Sequence, residues 1–204
     1  MSDNHTESVQ FNLDTGKLGM WIFLLTELFL FGGLFLVYAV FRAKYSPEFH
    51  SAALELNTFI GTMNTVFLLV SSMTAAMSLT AIRKNQQKLA LFLIISTIFL
   101  AALFMVNKYF EWSHKFEFRI FPGSEVLKNI PRGELLFFGL YYMMTGLHAL
   151  HVLVGMVLLS IVAFKIYREL INGNNYLLLE NSTLYWHLVD LIWIFLFPLL
   201  YLVT

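Results

Sequence analysis

The chain has 204 residues, 58% of them hydrophobic and 13% charged, with 13 Lys and Arg against 13 Asp and Glu and no cysteine. At a mean hydropathy of +0.70 it carries more apolar surface than one soluble domain can bury, so lipid must cover the remainder. The zero formal charge leaves no basic excess to hold nucleic acid, and the lack of cysteine excludes disulfides, thiolate metal sites and iron–sulfur clusters.

Met1 to Gly16 is polar and lacks the basic start, short apolar stretch and small-residue cleavage site of a secretory signal; it reads as a polar tail. Five apolar runs follow: Leu18–Phe41, Leu56–Ile82, Leu89–Asn107, Leu135–Phe164 and Asn181–Thr204. Each is long enough to cross a hydrocarbon core of about 30 Å at about 1.5 Å per residue. Backbone polar groups in lipid must be satisfied within their own segment, which makes helix the expected state of all five. The expectation is an all-α integral membrane bundle forming a single domain, with helices at about 18–41, 56–82, 89–110, 132–167 and 181–203. Connections are short except Lys108–Glu134, which holds Pro122-Gly123 and Pro131 and reads as an extramembrane loop followed by a proline-started helix. Small residues on one stripe of the second run, Thr58, Thr65, Ser72, Ala76 and Thr80, predict its packing face.

An odd number of spans puts the termini on opposite sides. Lys17, Arg83, Lys84, Lys88, Lys165 and Arg168 fall on the N-terminal side, six cations against seven on the other, five of those in the long loop. Short loops report topology best, and the tight Arg83–Lys88 turn contains no acid, so the pattern favours the N-terminus inside.

Ionisable groups at membrane depth are costly without partners, on the order of 2.5 kcal/mol or more each at a helix centre, so they mark function or a specific tie. Glu27 is the solitary charge of the first run and Asp190 of the fifth, while His148 and His151 lie inside the fourth. With helices alternating in direction, Glu27 and Asp190 each lie about 14 Å below the same face and His151 about 20 Å, less with tilt, so these groups share a central slab. Spacing of three residues puts His148 beside His151, and His187 beside Asp190 between Trp186 and Trp193, while Gly155 leaves room for a neighbouring helix. Glu27 reads equally as a tie from the first helix to a histidine of the fourth and as a proton-exchanging group. For the two histidine pairs, holding the bundle together is the simpler role.

Glu111 and His114 form a helix-end pair with the Glu-x-x-His spacing of di-iron carboxylate sites, but that chemistry needs the motif twice plus two further glutamates. One copy is present. No nucleophile–base arrangement, phosphate loop or dinucleotide fingerprint occurs, so neither a catalytic residue nor a metal ligand is assigned.

The residues themselves resemble a family. Lys17-Leu-Gly-Met-Trp-Ile-Phe-Leu-Leu-Thr-Glu27, Leu56-Asn57-Thr58 with Ser71-Ser72, Glu111-Trp112, Thr145-Gly-Leu-His148-Ala-Leu-His151-Val152 with Gly155, and Tyr185-Trp-His187-Leu-Val-Asp190-Leu-Ile-Trp193 occur in this order. Together they resemble the cytochrome c oxidase subunit III family in its short, five-helix form, and the ordered set is far more specific than any one motif. Longer members have two further N-terminal helices; this chain begins where the third would. The Leu202-Val203-Thr204 ending and the length of Lys115–Pro131 depart from the usual pattern and leave open which oxidase is served.

The resemblance implies a subunit without haem or copper of its own, those cofactors belonging to partner subunits. It further implies binding to subunit I of a haem-copper oxidase, other oxidase subunits or a respiratory supercomplex, bound phospholipid, and support of proton uptake and durability during oxygen reduction in a bacterial cytoplasmic membrane. A subunit III relative attached to a nitric oxide reductase, a quinol oxidase subunit and a stand-alone small transporter are the alternatives. Against the transporter stand the lack of an inverted repeat and of Gly/Pro-broken helix pairs.

Overall fold

A computed structural model describes residues 3–117, 131–173 and 175–202, with side chains from Thr15 onward except that of Glu117. Its helices are α1 (Asp3–Lys44), α2 (Ser46–Leu54), α3 (Thr58–Arg83), α4 (Gln87–Glu117), α5 (Arg132–Tyr167) and α6 (Leu177–Tyr201). Five of them, all but α2, are long and apolar enough to span a membrane. The protein is therefore an all-α, multi-pass bundle.

The helices run further than the apolar runs. α1 continues to Asp3 through the segment read as a polar tail, because neither proline nor glycine interrupts it before Gly16. α4 passes Asn107 by almost three turns to Glu117, which brings Lys108, Glu111 and Lys115 into the bundle. Pro122-Gly123 and most of the long loop lie outside the described residues.

The nine-residue α2 is an element the sequence pattern did not announce. Proline in its first turn presets φ for helix entry, and its Phe49 meets Tyr38 of α1 and Phe137 of α5 at ring-centroid distances of 5.4 and 5.5 Å. α2 thus lies over the bundle end remote from the N-terminal side. The chain then enters α3 at Asn57, whose Oδ1 accepts from the backbone N–H groups of Phe59 (3.0 Å) and Ile60 (3.2 Å). Replacing this cap should matter: Asn57→Ala is expected to cost about 1 kcal/mol, read as a lower thermal midpoint of the purified protein, and Asn57→Ser should restore most of it.

α3 and α4 form an antiparallel hairpin closed by a turn in which Asn85 adopts φ 56°, a left-handed conformation that asparagine tolerates. At the same end, Glu180 of α6 receives Lys17 of α1 at 3.5 Å and Arg83 of α3 at 3.4 Å. These three charges stand together at one end of the spans of α1, α3 and α6, where charge is expected at a membrane boundary, and their meeting shows that these helices alternate in direction. α6 is the central post, with half of its apolar window buried, whereas only 11% of that of α1 is buried. α1 stands at the periphery, touching α5 and α6.

The packing face of α3 differs from the predicted stripe. Gly61, Asn64, Leu68, Ser71, Ala75 and Ser78 are buried; Thr58, Ala76 and Thr80 are exposed, and Thr65 and Ser72 sit at the margin. Small residues occupy both sides of this helix, so their presence alone did not fix its rotation. Gly61 shows what close approach requires: a Cβ there would lie 2.8 Å from the Phe197 ring of α6.

Candidate functional site

Glu27 and His151 meet. The histidine Nε2 lies 2.9 Å from Glu27 Oε2, joining α1 to α5 at membrane depth. The other ring nitrogen, Nδ1, lies 2.8 Å from the Leu147 carbonyl. A carbonyl only accepts, so Nδ1 carries a hydrogen. One proton is then shared between Nε2 and the carboxyl: a neutral acid donating to neutral imidazole, or a carboxylate accepting from imidazolium. The pair has no net charge in either form, which is how it can sit in lipid depth. Phe31 meets the imidazole edge-on at 5.3 Å between ring centroids, and the Tyr185 hydroxyl donates to the His151 carbonyl at 3.2 Å. Gly155, one turn on, allows Trp186 to pack so closely that a Cβ would fall 2.7 Å from its ring.

His148 does not share this contact. It is fully buried between α4 and α6, in ring contact with Phe104 (5.6 Å) and Trp193 (5.2 Å), and neither ring nitrogen has a hydrogen-bond partner among the described residues. Three residues along a helix rotate a side chain by about 60°, enough to send His151 toward α1 and His148 into the core.

The expected pair of His187 and Asp190 is not formed. His187 Nδ1 bonds the Ser72 hydroxyl of α3 at 2.6 Å. Asp190 is buried with neither carboxyl oxygen hydrogen-bonded among the described residues. The two tryptophans tie to α3 in the same manner, Trp186 donating to Ser71 Oγ and Trp193 to Thr65 Oγ1, each at 3.0 Å. α6 is thus pinned to α3 by a ladder of hydroxyls. Ser72, His187 and Asp190 are not a hydrolytic triad, because that arrangement uses Nε2 toward serine and joins the carboxylate to Nδ1.

A second cluster, unforeseen in the sequence, lies toward the opposite membrane face. Lys108 donates to Glu111 Oε2 at 3.0 Å and to the Tyr201 hydroxyl at 2.6 Å. Glu111 Oε1 accepts from the hydroxyls of Tyr141 (2.6 Å) and Tyr201 (2.5 Å). Lys108 and Glu111 are only 4% and 6% exposed, so this is a buried ion pair linking α4, α5 and α6, and its carboxylate is bonded on both oxygens. The ammonium also stands 4.8 Å from the Trp193 ring centroid, in range of a cation–π contact. Two features signalled the cluster: the Lys-x-x-Glu spacing and the tyrosines at the matching ends of two other runs. A lysine just past an apolar run is ordinarily interfacial, and that default concealed it.

Glu111 and His114 differ in burial but share a cavity. Glu111 is buried with its carboxylate bonded to Lys108 and the two tyrosines, His114 is exposed, and both line a cavity of about 630 Å³ with Glu55, Asn57, Ser113 and Lys115. Among the described residues, no three His, Asp or Glu side chains are grouped to hold a metal.

Residues 1–204 match the family described as cytochrome c oxidase subunit III. The chain is 32% identical over 193 residues to cytochrome c oxidase subunit 3 of Rhipicephalus sanguineus, covering 91% of this chain and 69% of that protein. It is 26% identical over 205 residues to the heme-copper oxidase subunit I+III of Aeropyrum pernix, covering 98% of this chain and 24% of that much longer protein. Similarity at 26% over 187 residues extends to cytochrome bo(3) ubiquinol oxidase subunit 3 of Buchnera aphidicola, covering 90% of this chain and 92% of that one. With five spanning helices, the motifs in their order and a match over its whole length, the chain belongs to the cytochrome c oxidase subunit III family.

Proposed function

We propose that the chain is the non-redox subunit III of a haem-copper respiratory oxidase in a bacterial cytoplasmic membrane. In this reading it binds subunit I and phospholipid, carries no catalytic centre, haem or copper, and supports proton uptake and durability while partner subunits reduce oxygen. The observation that carries it is the Aeropyrum pernix relative, named as subunit I and III in one polypeptide, with a segment matching 98% of this chain. Two domains fused in one protein are held together by necessity; separate chains of the same kind must keep a face for each other.

The Glu27–His151 pair suits support rather than turnover. It joins an acid to a base through one hydrogen bond at membrane depth, and the Glu27 side chain retains 17% exposure on the sparsely packed α1, where a partner's groups or water can reach it. The basic turn at Lys84–Lys88 lies at the same end as Lys17, which supports placing the N-terminus in the cytoplasm. Relatives are named for both cytochrome c and ubiquinol oxidases, so the scaffold serves oxidases with either donor.

The purified chain alone should be colourless, without a Soret band or stoichiometric iron or copper; a haem bound one-to-one to this polypeptide overturns the reading. Stripping the chain from its oxidase should leave haem reduction intact while proton uptake slows and activity decays faster during turnover. Adding it back should restore both.

A further inference from the structure

A groove of about 610 Å³ separates α1 from α6 in the N-terminal half of the membrane, walled by Trp21, Ile22, Leu25 and Leu28 on one side and Leu188 and Leu191 on the other. His187 is the one ionisable side chain in its lining. Its Nδ1 is taken by Ser72, and no described residue bonds its Nε2. A half-buried imidazole therefore presents one unpartnered hydrogen-bonding nitrogen to an apolar groove.

Depth decides what can satisfy it. His187 is seven residues beyond Glu180, whose ion pairs with Lys17 and Arg83 mark the boundary, so it lies about 10 Å deeper at 1.5 Å per residue. A phospholipid headgroup stays at the interface, and a fatty acid holds its carboxylate there too, beside the same two cations. Their acyl chains would bring only methylenes to His187. The occupant must have a small polar group inside the hydrocarbon and an apolar body, and a quinone or quinol meets both conditions with its ring oxygen and isoprenoid tail. Trp21, about 6 Å below Lys17 by the same rise, adds a flat aromatic wall for a ring. The groove's volume falls within the usual range for small-molecule sites. We propose that the α1–α6 groove binds a membrane quinone or quinol, with His187 Nε2 hydrogen-bonded to a ring oxygen and Trp21 beside the ring.

The site belongs to this chain's own helices, so its test is independent of whether subunit I is the partner. The full chain in phosphatidylcholine nanodiscs should be labelled by an azido-quinone on peptides containing Trp21–Leu28 or Leu184–Leu191, and decylubiquinone should compete while oleic acid should not. Losing the single hydrogen bond in His187→Phe should weaken labelling about 3- to 10-fold. Leu25→Trp, at an exposed position that leaves the Ser72 bond intact, should block the groove and abolish labelling even if His187→Phe proves unstable. Labelling confined to other peptides, labelling unchanged by Leu25→Trp, or displacement by oleic acid as effective as by decylubiquinone would each overturn the proposal.

Discussion

Glu111→Gln should be among the most damaging single substitutions in the bundle, costing about 3–5 kcal/mol, because it leaves the Lys108 ammonium buried without a counter-charge. The amide matches the carboxyl in size, so packing contributes little to the loss. Lys108→Met should cost a comparable amount, leaving the Glu111 carboxylate with only the two tyrosine hydroxyls. The double variant removes both charges while the glutamine carbonyl still accepts from Tyr141 and Tyr201, and it should recover most of the stability, since a buried pair often contributes little net. Thermal midpoints of the three variants in one detergent provide the check. A double variant as unstable as the sum of the singles would mean that packing, not charge compensation, sets the value of the cluster.

Glu27→Ala should cost about 1–3 kcal/mol, the penalty for leaving His151 Nε2 buried without a partner, and should loosen α1, which has few other contacts. Glu27→Gln separates packing from proton handling. Its amide can donate to Nε2 while Nδ1 keeps its bond to the Leu147 carbonyl, so the bridge persists but the exchangeable proton is gone. If Glu27 is structural, Gln restores thermal stability, subunit retention and turnover together. If it handles protons, Gln restores the first two while proton uptake or sustained activity falls. An alanine variant that assembles, withstands heat and turns over like the wild type contradicts both roles.

The spans were legible because length and hydropathy suffice for an object that must cross lipid. The meeting of Glu27 with His151 was legible for a related reason: a solitary charge at membrane depth must find a partner, and few candidates share its slab. Where partners were plentiful, sequence could not choose. His187 had Asp190 one turn away, yet the Ser72 hydroxyl of another helix took it, and only the relative rotation of α3 and α6 decides between them. The same rotation put the α3 packing face on Ser71 and Ala75 rather than Ser72 and Ala76. Lys108 was hidden because it follows the apolar run that ends at Asn107, a place where lysine is ordinarily interfacial, and because the helix, expected to end near 110, continues to Glu117. α2 is too short and mixed in composition to stand out, its helicity resting on Phe49 packing against Tyr38 and Phe137.

Extraction of the native membrane in a mild detergent, with the chain tagged, bears most directly on the central claim. Mass spectrometry and a visible spectrum of the isolated material should reveal a haem-bearing subunit I in equal amount with this chain, and a Soret band that leaves with subunit I when the two are separated. Recovery of the chain alone or as a homo-oligomer, under conditions that keep the oxidase intact, would contradict it.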